Sequence, residues 1–140
     1  MEKFVNWEEC LELEYAKKSK SNSEYTNSLL KMADDKLVFV KSLKIDDKNS
    51  SFVFTNFYDC IRMLCEALIL KKGYKIYNHK CITQFLKVVL KEEKSSRVFD
   101  ACRIIRNRVS YYGKTISRSE AEKRIADIQS VYNILKNKYF

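Results

Sequence analysis

The chain has 140 residues, 46% of them hydrophobic and 32% charged, which fits one domain with its own core and argues against disorder. It has no Pro and only two Gly, fewer than the turns of a sandwich, barrel or dinucleotide-binding fold need, so an all-α protein is expected. The net charge of +9 is lopsided: residues 1–70 carry ten basic side chains against twelve acidic, and residues 71–140 carry seventeen against six, a balance that suits a polyanion such as RNA or DNA or simply keeps Lys-rich helices soluble.

In chain order, the first helix is predicted from about Trp7 to Ser19. Glu8, Glu9, Glu12 and Glu14 come early and Lys17, Lys18 and Lys20 late, as the helix dipole favours. A second helix is predicted from Ser23 to Leu43, with Leu30, Ala33, Leu37 and Val40 on one stripe, before a loop at residues 46–50. Phe54, Phe57, Ile61, Met63 to Cys65 and Leu68 recur at helical spacing in the third, which stops at Gly73. Asn78 caps a fourth helix bearing Ile82, Phe85, Leu86, Val89 and Leu90. Ser95 or Ser96 opens a fifth, with Val98, Ala101, Cys102, Ile105 and Val109 inward, ending at Gly113. Ser117 or Ser119 opens the last, where Ser117-Arg118-Ser119-Glu120 has a capping-box pattern and Ala121, Ile125, Ile128, Tyr132 and Leu135 form the stripe. Short connections imply antiparallel neighbours, so the expectation is a single domain over 1–140 forming an up-and-down helical bundle. Phe4, Trp7, Tyr139 and Phe140 are placed to cover the open end of its core.

The five cysteines, Cys10, Cys60, Cys65, Cys81 and Cys102, contain no Cys-x-x-Cys, and His79 is the only histidine. No metal site of standard spacing is expected, and no cofactor. The odd count with apolar neighbours reads as reduced thiols. Residues 1–7 lack the apolar run of a signal peptide, and Ala67-Leu68-Ile69-Leu70 is too short to span a bilayer, so a soluble cytoplasmic protein with no membrane contact is expected. One His and two Gly also leave no material for a Gly-rich phosphate loop, a His-Glu-x-x-His helix or a Ser/His/Asp set. His79, just after the capping Asn78, reads as a packing or capping residue rather than a general base.

The unusual segment runs from Arg103 through Arg106, Asn107, Arg108, Ser110, Tyr111 and Tyr112 to Gly113. Arg presents a planar fork to phosphate, and Tyr a stacking face and a hydroxyl. The plain structural alternative is cations at a helix C-terminus and rings in the core. The segment resembles the signature of the HEPN family of helical bundles: Arg-Asn, a short spacer, His or Tyr, then Tyr-Gly or similar. Cys65-Glu66-Ala67-Leu68-Ile69-Leu70-Lys71-Lys72-Gly73-Tyr74-Lys75 and Asn78-His79-Lys80-Cys81-Ile82-Thr83-Gln84-Phe85-Leu86 match the family's style in the same order, and the likeness covers roughly residues 10–136.

The resemblance implies a homodimer whose catalytic members are metal-independent RNases, toxins paired with a minimal nucleotidyltransferase. Carried over, Arg106 is the motif Arg, Asn107 its polar neighbour, and Tyr111 stands where a four-residue spacer would put the His. Arg106 then holds the scissile phosphate, Asn107 orients it, and Tyr111 is a proton donor or a hydrogen-bonding stand-in. Arg103, Arg108, Tyr112 and Lys114 are the accompanying RNA contacts. Arg106 and Tyr111 lie about 140° apart on a regular helix, so they meet only at a distorted helix end or across a dimer, and Ser110 is the same-face neighbour. Glu66 is the acid expected to pair with an Arg of the set. The family's tyrosine acceptor for AMP, two residues after the motif His, falls on Gly113, with Tyr112 next to it. Three functions stay open: an RNase, a non-catalytic module binding RNA, nucleotide or the nucleotidyltransferase, and a helical scaffold.

Overall fold

The computed structural model describes residues 3–140; Met1 and Glu2, the first residues of the expected 1–140 domain, lie outside the described residues. The elements are α1 (Trp7–Glu12), β1 (Ala16–Lys18), α2 (Ser23–Lys41), α3 (Ser50–Lys71), β2 (Tyr74–Ile76), α4 (His79–Gln84), a π-helical turn (Phe85–Val89), α5 (Glu93–Tyr112) and α6 (Arg118–Tyr139). The all-α expectation holds: four long helices form a bundle, and the only sheet among the described residues is one two-stranded ribbon.

α3 is the axis of the bundle. Phe54, Tyr58, Ile61, Leu64, Leu68 and Ile69 are all wholly buried, because α2, α5 and α6 enclose the helix on three sides. Contacts along it fix direction. Lys36 Nζ of α2 lies 3.2 Å from Asp59 of α3, while Val40 and Val53 share a groove, so α2 and α3 are antiparallel. Ser50 donates to the Ile116 carbonyl at one end of α3 and Lys71 to that of Tyr139 at the other, so α6 runs parallel to it. Tyr58 packs on Phe99 of α5, with ring centroids 5.6 Å apart. The caps follow the sequence: Asn78 accepts from Lys80 N–H, Ser117 accepts from Glu120 N–H, and Gly113 closes α5 at φ 63°, in the left-handed region where glycine is unstrained.

Several expectations about the fold need correction. The first helix does not reach Ser19. It ends at Glu12, Glu14 takes a positive φ, and residues 16–18 become β1, paired antiparallel with β2 through Ala16–Ile76, Lys17–Lys75 and Lys18–Tyr74. Burial of Ala16 against the core outweighs the dipole pattern that suggested helix. The fourth helix yields to the π-helical turn at Phe85, and the fifth opens at Glu93, before Ser95 or Ser96. On α5 the expected stripe holds in Cys102 and Ile105, which are buried, and in Val98 and Val109, which pack half-buried against the core, but Phe99, outside that stripe, fills the core and Ala101 is only half-buried. Phe4 and Phe140 are exposed, whereas Trp7 is buried edge-on to Tyr74 and Phe85 and Tyr139 packs half-buried against the core.

The last of these corrections is chemical. Cys10 and Cys81 are joined by a disulfide between α1 and α4, whereas Cys60, Cys65 and Cys102 are buried free thiols. Burial pushes the Cys60 thiol up to about 11 and that of Cys102 to about 12, so neither is a ready nucleophile. No helix among the described residues is long and apolar enough to cross a membrane.

The disulfide closes a loop of 71 residues, which by loop entropy stabilises the fold by about 4 kcal/mol. Reductant should therefore lower the urea midpoint of the wild type and leave that of a Cys10→Ser/Cys81→Ser variant unmoved. Equal midpoints for oxidised and reduced wild type would contradict this.

Candidate functional site

α4 and α5 lie side by side, and the C-terminal half of α5 faces the N-terminus of α4. Between them is a cavity of about 260 Å³ lined by Tyr77, Asn78, His79, Lys80, Arg103, Arg106, Asn107 and Tyr111. Arg103, Asn107 and Tyr111 recur every four residues, and Arg106 flanks them, so one face of α5 carries all four into the cavity.

Each cation is held differently. Arg103 is buried, and its Nε and Nη2 donate to Asp100 Oδ1 at 3.0 and 2.8 Å, while Thr83 of α4 donates to the same oxygen at 3.0 Å. Arg106 has no carboxylate within ion-pair distance among the described residues. Its Nη1 donates to Tyr111 Oη at 2.9 Å and to Asn107 Oδ1 at 3.3 Å. Its guanidinium carbon lies 5.7 Å from the centre of the Tyr58 ring and 5.3 Å from that of Tyr111, so the charge rests between two aromatic rings. The reach of a long Arg side chain corrects the requirement for a distorted helix end or a dimer mate: Arg106 and Tyr111 meet within one protomer on a helix that runs unbroken to Tyr112.

His79, read from sequence as a packing or capping residue, packs on Tyr58 and also lines the cavity, which the sequence did not indicate. Asn78 does the capping, and the imidazole lines the cavity with Nδ1 3.1 Å from Tyr58 Oη. Burial and the nearby Arg62, Arg106 and Arg103 guanidiniums push its pKa down to about 4 against the smaller opposing pull of Asp59, so the ring is neutral at pH 7. The same burial raises the Tyr58 hydroxyl well above the usual phenol range. The available signal was that the chain's sole imidazole stands at a helix start.

Of the expected site residues, Arg103, Arg106, Asn107 and Tyr111 come together. Ser110, Arg108, Tyr112 and Lys114 do not line the cavity: they project from the last turn of α5 and just beyond it, Tyr112 at 73% exposure. Glu66 is a correction. α3 and α5 are neighbours, but Glu66 points to the α2 and β2 side, where Arg62 Nη1 lies 3.0 Å from it on its own helix. Asp100 is the acid that pairs with an Arg of the set. Among the described residues, no group of three or more His, Cys, Asp and Glu is placed to hold a metal ion. Chemically, the cavity offers guanidinium donors, a neutral imidazole and two phenols, a set suited to a phosphate group.

Compared with protein-family models, curated proteins and solved structures, the chain matches none.

His79 should make stability pH-dependent. Its pKa is near 6.5 in the unfolded chain and about 4 when folded, so the unfolded chain binds one more proton between those values. Stability is then present in full above pH 6.5 and falls as pH drops toward 4. Urea midpoints at pH 7 and pH 5 should differ more for the wild type than for His79→Gln; parallel shifts would contradict the assignment.

Proposed function

We propose that this protein is a HEPN-type RNA-targeting protein and that the α4–α5 cavity receives an RNA phosphate for metal-independent cleavage. One observation carries the reading: Arg106 sits in the cavity with its charge balanced by no described carboxylate, held only by Tyr58, Tyr111 and Asn107. A guanidinium so placed is preorganised for an oxyanion.

Arg106 binds the phosphate, Asn107 Oδ1 fixes the Arg106 plane, and Arg103, held by Asp100, adds positive charge behind it. The RNA 2′-oxygen attacks the adjacent phosphorus as the bond from phosphorus to the 5′-oxygen breaks, leaving a 2′,3′-cyclic phosphate and a 5′-hydroxyl. The contact between His79 Nδ1 and Tyr58 Oη orients the ring; in the tautomer whose Nδ1–H donates to that oxygen, Nε2 is free to take the 2′-hydroxyl proton. Tyr111 gives its proton to the departing 5′-oxygen and regains one from the imidazolium through solvent. The nucleophile is supplied by the RNA and the developing charge is met by guanidinium, so this route uses no metal.

The HEPN reading brings with it a homodimer, a minimal nucleotidyltransferase as partner and a cytoplasmic setting. The exposed last turn of α5, with Arg108, Tyr112 and Lys114, supports an intermolecular contact there. The buried position of Cys10 and Cys81 supports persistence of their disulfide in that setting, because solvent thiols do not reach it in the folded protein.

A second reading, a non-catalytic module for RNA, nucleotide or the nucleotidyltransferase, is favoured by the low proton affinity of His79 and by the Tyr at the motif His position. Labelled RNA separates the two. Cleavage that survives EDTA and falls on the order of 10²–10³-fold in Arg106→Ala supports catalysis. Binding without cleavage, weakened by the same variant, supports the module. Strictly Mg²⁺-dependent cleavage, or wild-type cleavage by Arg106→Ala, contradicts the mechanism. Light scattering at micromolar concentration should give a dimer mass.

A further inference from the structure

The β1–β2 ribbon ends at the mouth of the cavity. Beyond the paired residues, Tyr77 N–H donates to the Tyr15 carbonyl at 2.7 Å, which extends the ladder and fixes Tyr77 where its ring lines the cavity. Tyr77 is nevertheless 60% exposed, and Tyr111, on the other element of the rim, is 66% exposed. Two aromatic faces on different elements thus border one cationic hollow.

The ribbon carries charge up to that rim. Lys17 and Lys75 are direct cross-strand partners, and like charges directly opposite one another are unfavourable. Both ammonium groups lie over the Tyr77 ring, at 5.8 and 5.5 Å from its centre. Lys17 has one distant carboxylate, Glu14 at 3.8 Å, and both of those side chains are well exposed. Lys75 has no ion pair among the described residues. Two cations held side by side with so little compensation, and continuous through Tyr77 with Arg103 and Arg106, form a track longer than one phosphate.

We infer that the β1–β2 ribbon is a second nucleic-acid contact, and that the ligand is a single strand whose phosphates run from Lys17 and Lys75 into the α4–α5 cavity while unpaired bases stack on Tyr77 and Tyr111. The inference rests on the RNA reading above and names its substrate class. Single-strandedness follows from the rings: a base stacks on a protein aromatic only when its face is not already covered in a duplex. The rings accept any base, so the track selects strandedness rather than sequence.

The probe is a fluorescent 12-nucleotide RNA with 2′-O-methyl groups, which blocks the attacking oxygen so that binding is read without cleavage; the same oligonucleotide annealed to its complement is the duplex control. The wild type should bind the single strand at least tenfold more tightly than the duplex. Each phosphate contact on a single strand contributes about 0.7 to the slope of log affinity against log salt, so Lys17→Gln/Lys75→Gln should flatten that slope by about 1.4 and weaken binding roughly 25-fold at 0.1 M salt. Tyr77→Ala keeps the backbone bond to Tyr15 and should weaken binding by about tenfold with the slope unchanged. Both changes are on exposed side chains, and urea midpoints check that folding is intact. Wild-type binding that Arg106→Ala weakens but the lysine pair leaves unaltered in affinity and slope would overturn the ribbon and spare the RNA reading. Equal affinity for duplex would overturn the single-strand assignment. No binding by the wild type would overturn both readings.

Discussion

The structure depends on the enclosure of α3. A helix enclosed by three others must be apolar over most of its surface: the buried positions of residues 53–69 are apolar but for one polar-tipped side chain, Tyr58, while Asp59, Arg62 and Glu66 take the remaining side. Its ring belongs to the core, stacked near Phe99, but its hydroxyl has to find a partner, because a buried unpaired hydroxyl costs about 1–3 kcal/mol. That partner is His79. One satisfied hydroxyl thereby ties the centre of the bundle to the N-terminus of α4 and draws the chain's only imidazole into the cavity. The opposite side of the cavity is set by the same residue, since the Tyr58 ring is the surface on which Arg106 rests.

Three guanidiniums surround this tyrosine, and the fold neutralises them unequally. Arg62 is met by Glu66 at 3.0 Å and by Asp59 at 3.8 Å, and Arg103 by Asp100 at 2.8 Å. Arg106 receives only neutral groups. Pairing stabilises the first two where removal of an acid would strand a charge; the third keeps its charge for whatever enters. The asymmetry separates a structural arginine from one available to a ligand better than motif position does, since Arg103 and Arg106 belong to one sequence segment.

The four long helices were legible because their stripes, caps and Gly stops act within a few residues: Ala33, Leu37 and Val40, or Ala121, Ile125, Ile128 and Leu135, need no knowledge of partners to mark a buried face. Features decided by distant partners were not legible. Residues 16–18 look helical in isolation and become a strand because residues 74–76 offer a ladder. Cys10 and Cys81 have nothing in their flanks to mark them apart from Cys60 or Cys102; only the packing of α1 on α4 brings them together. The site divides the same way. Arg103, Arg106, Asn107 and Tyr111 share one helix face and could be found from spacing, whereas His79 arrives from another element and Glu66 faces the wrong side of α3.

A histidine held near pKa 4 is a poor base in the free protein, and the reason it is held there indicates when that changes. Part of the depression comes from burial and part from Arg62, Arg106 and Arg103. On the proposed reading, a phosphate bound at Arg106 brings negative charge into the same cavity and opposes the arginine share directly. The imidazole then gains proton affinity as the 2′-hydroxyl arrives, while the empty cavity avoids adding a further cation to those already lining it. Tyr111 complements this: its oxygen accepts from Arg106, which leaves the phenol O–H to meet the departing oxygen. In that arrangement the proton acceptor and donor come from two different helices, so catalytic alignment depends on the α4–α5 contact that Thr83, Asp100 and Arg103 hold together.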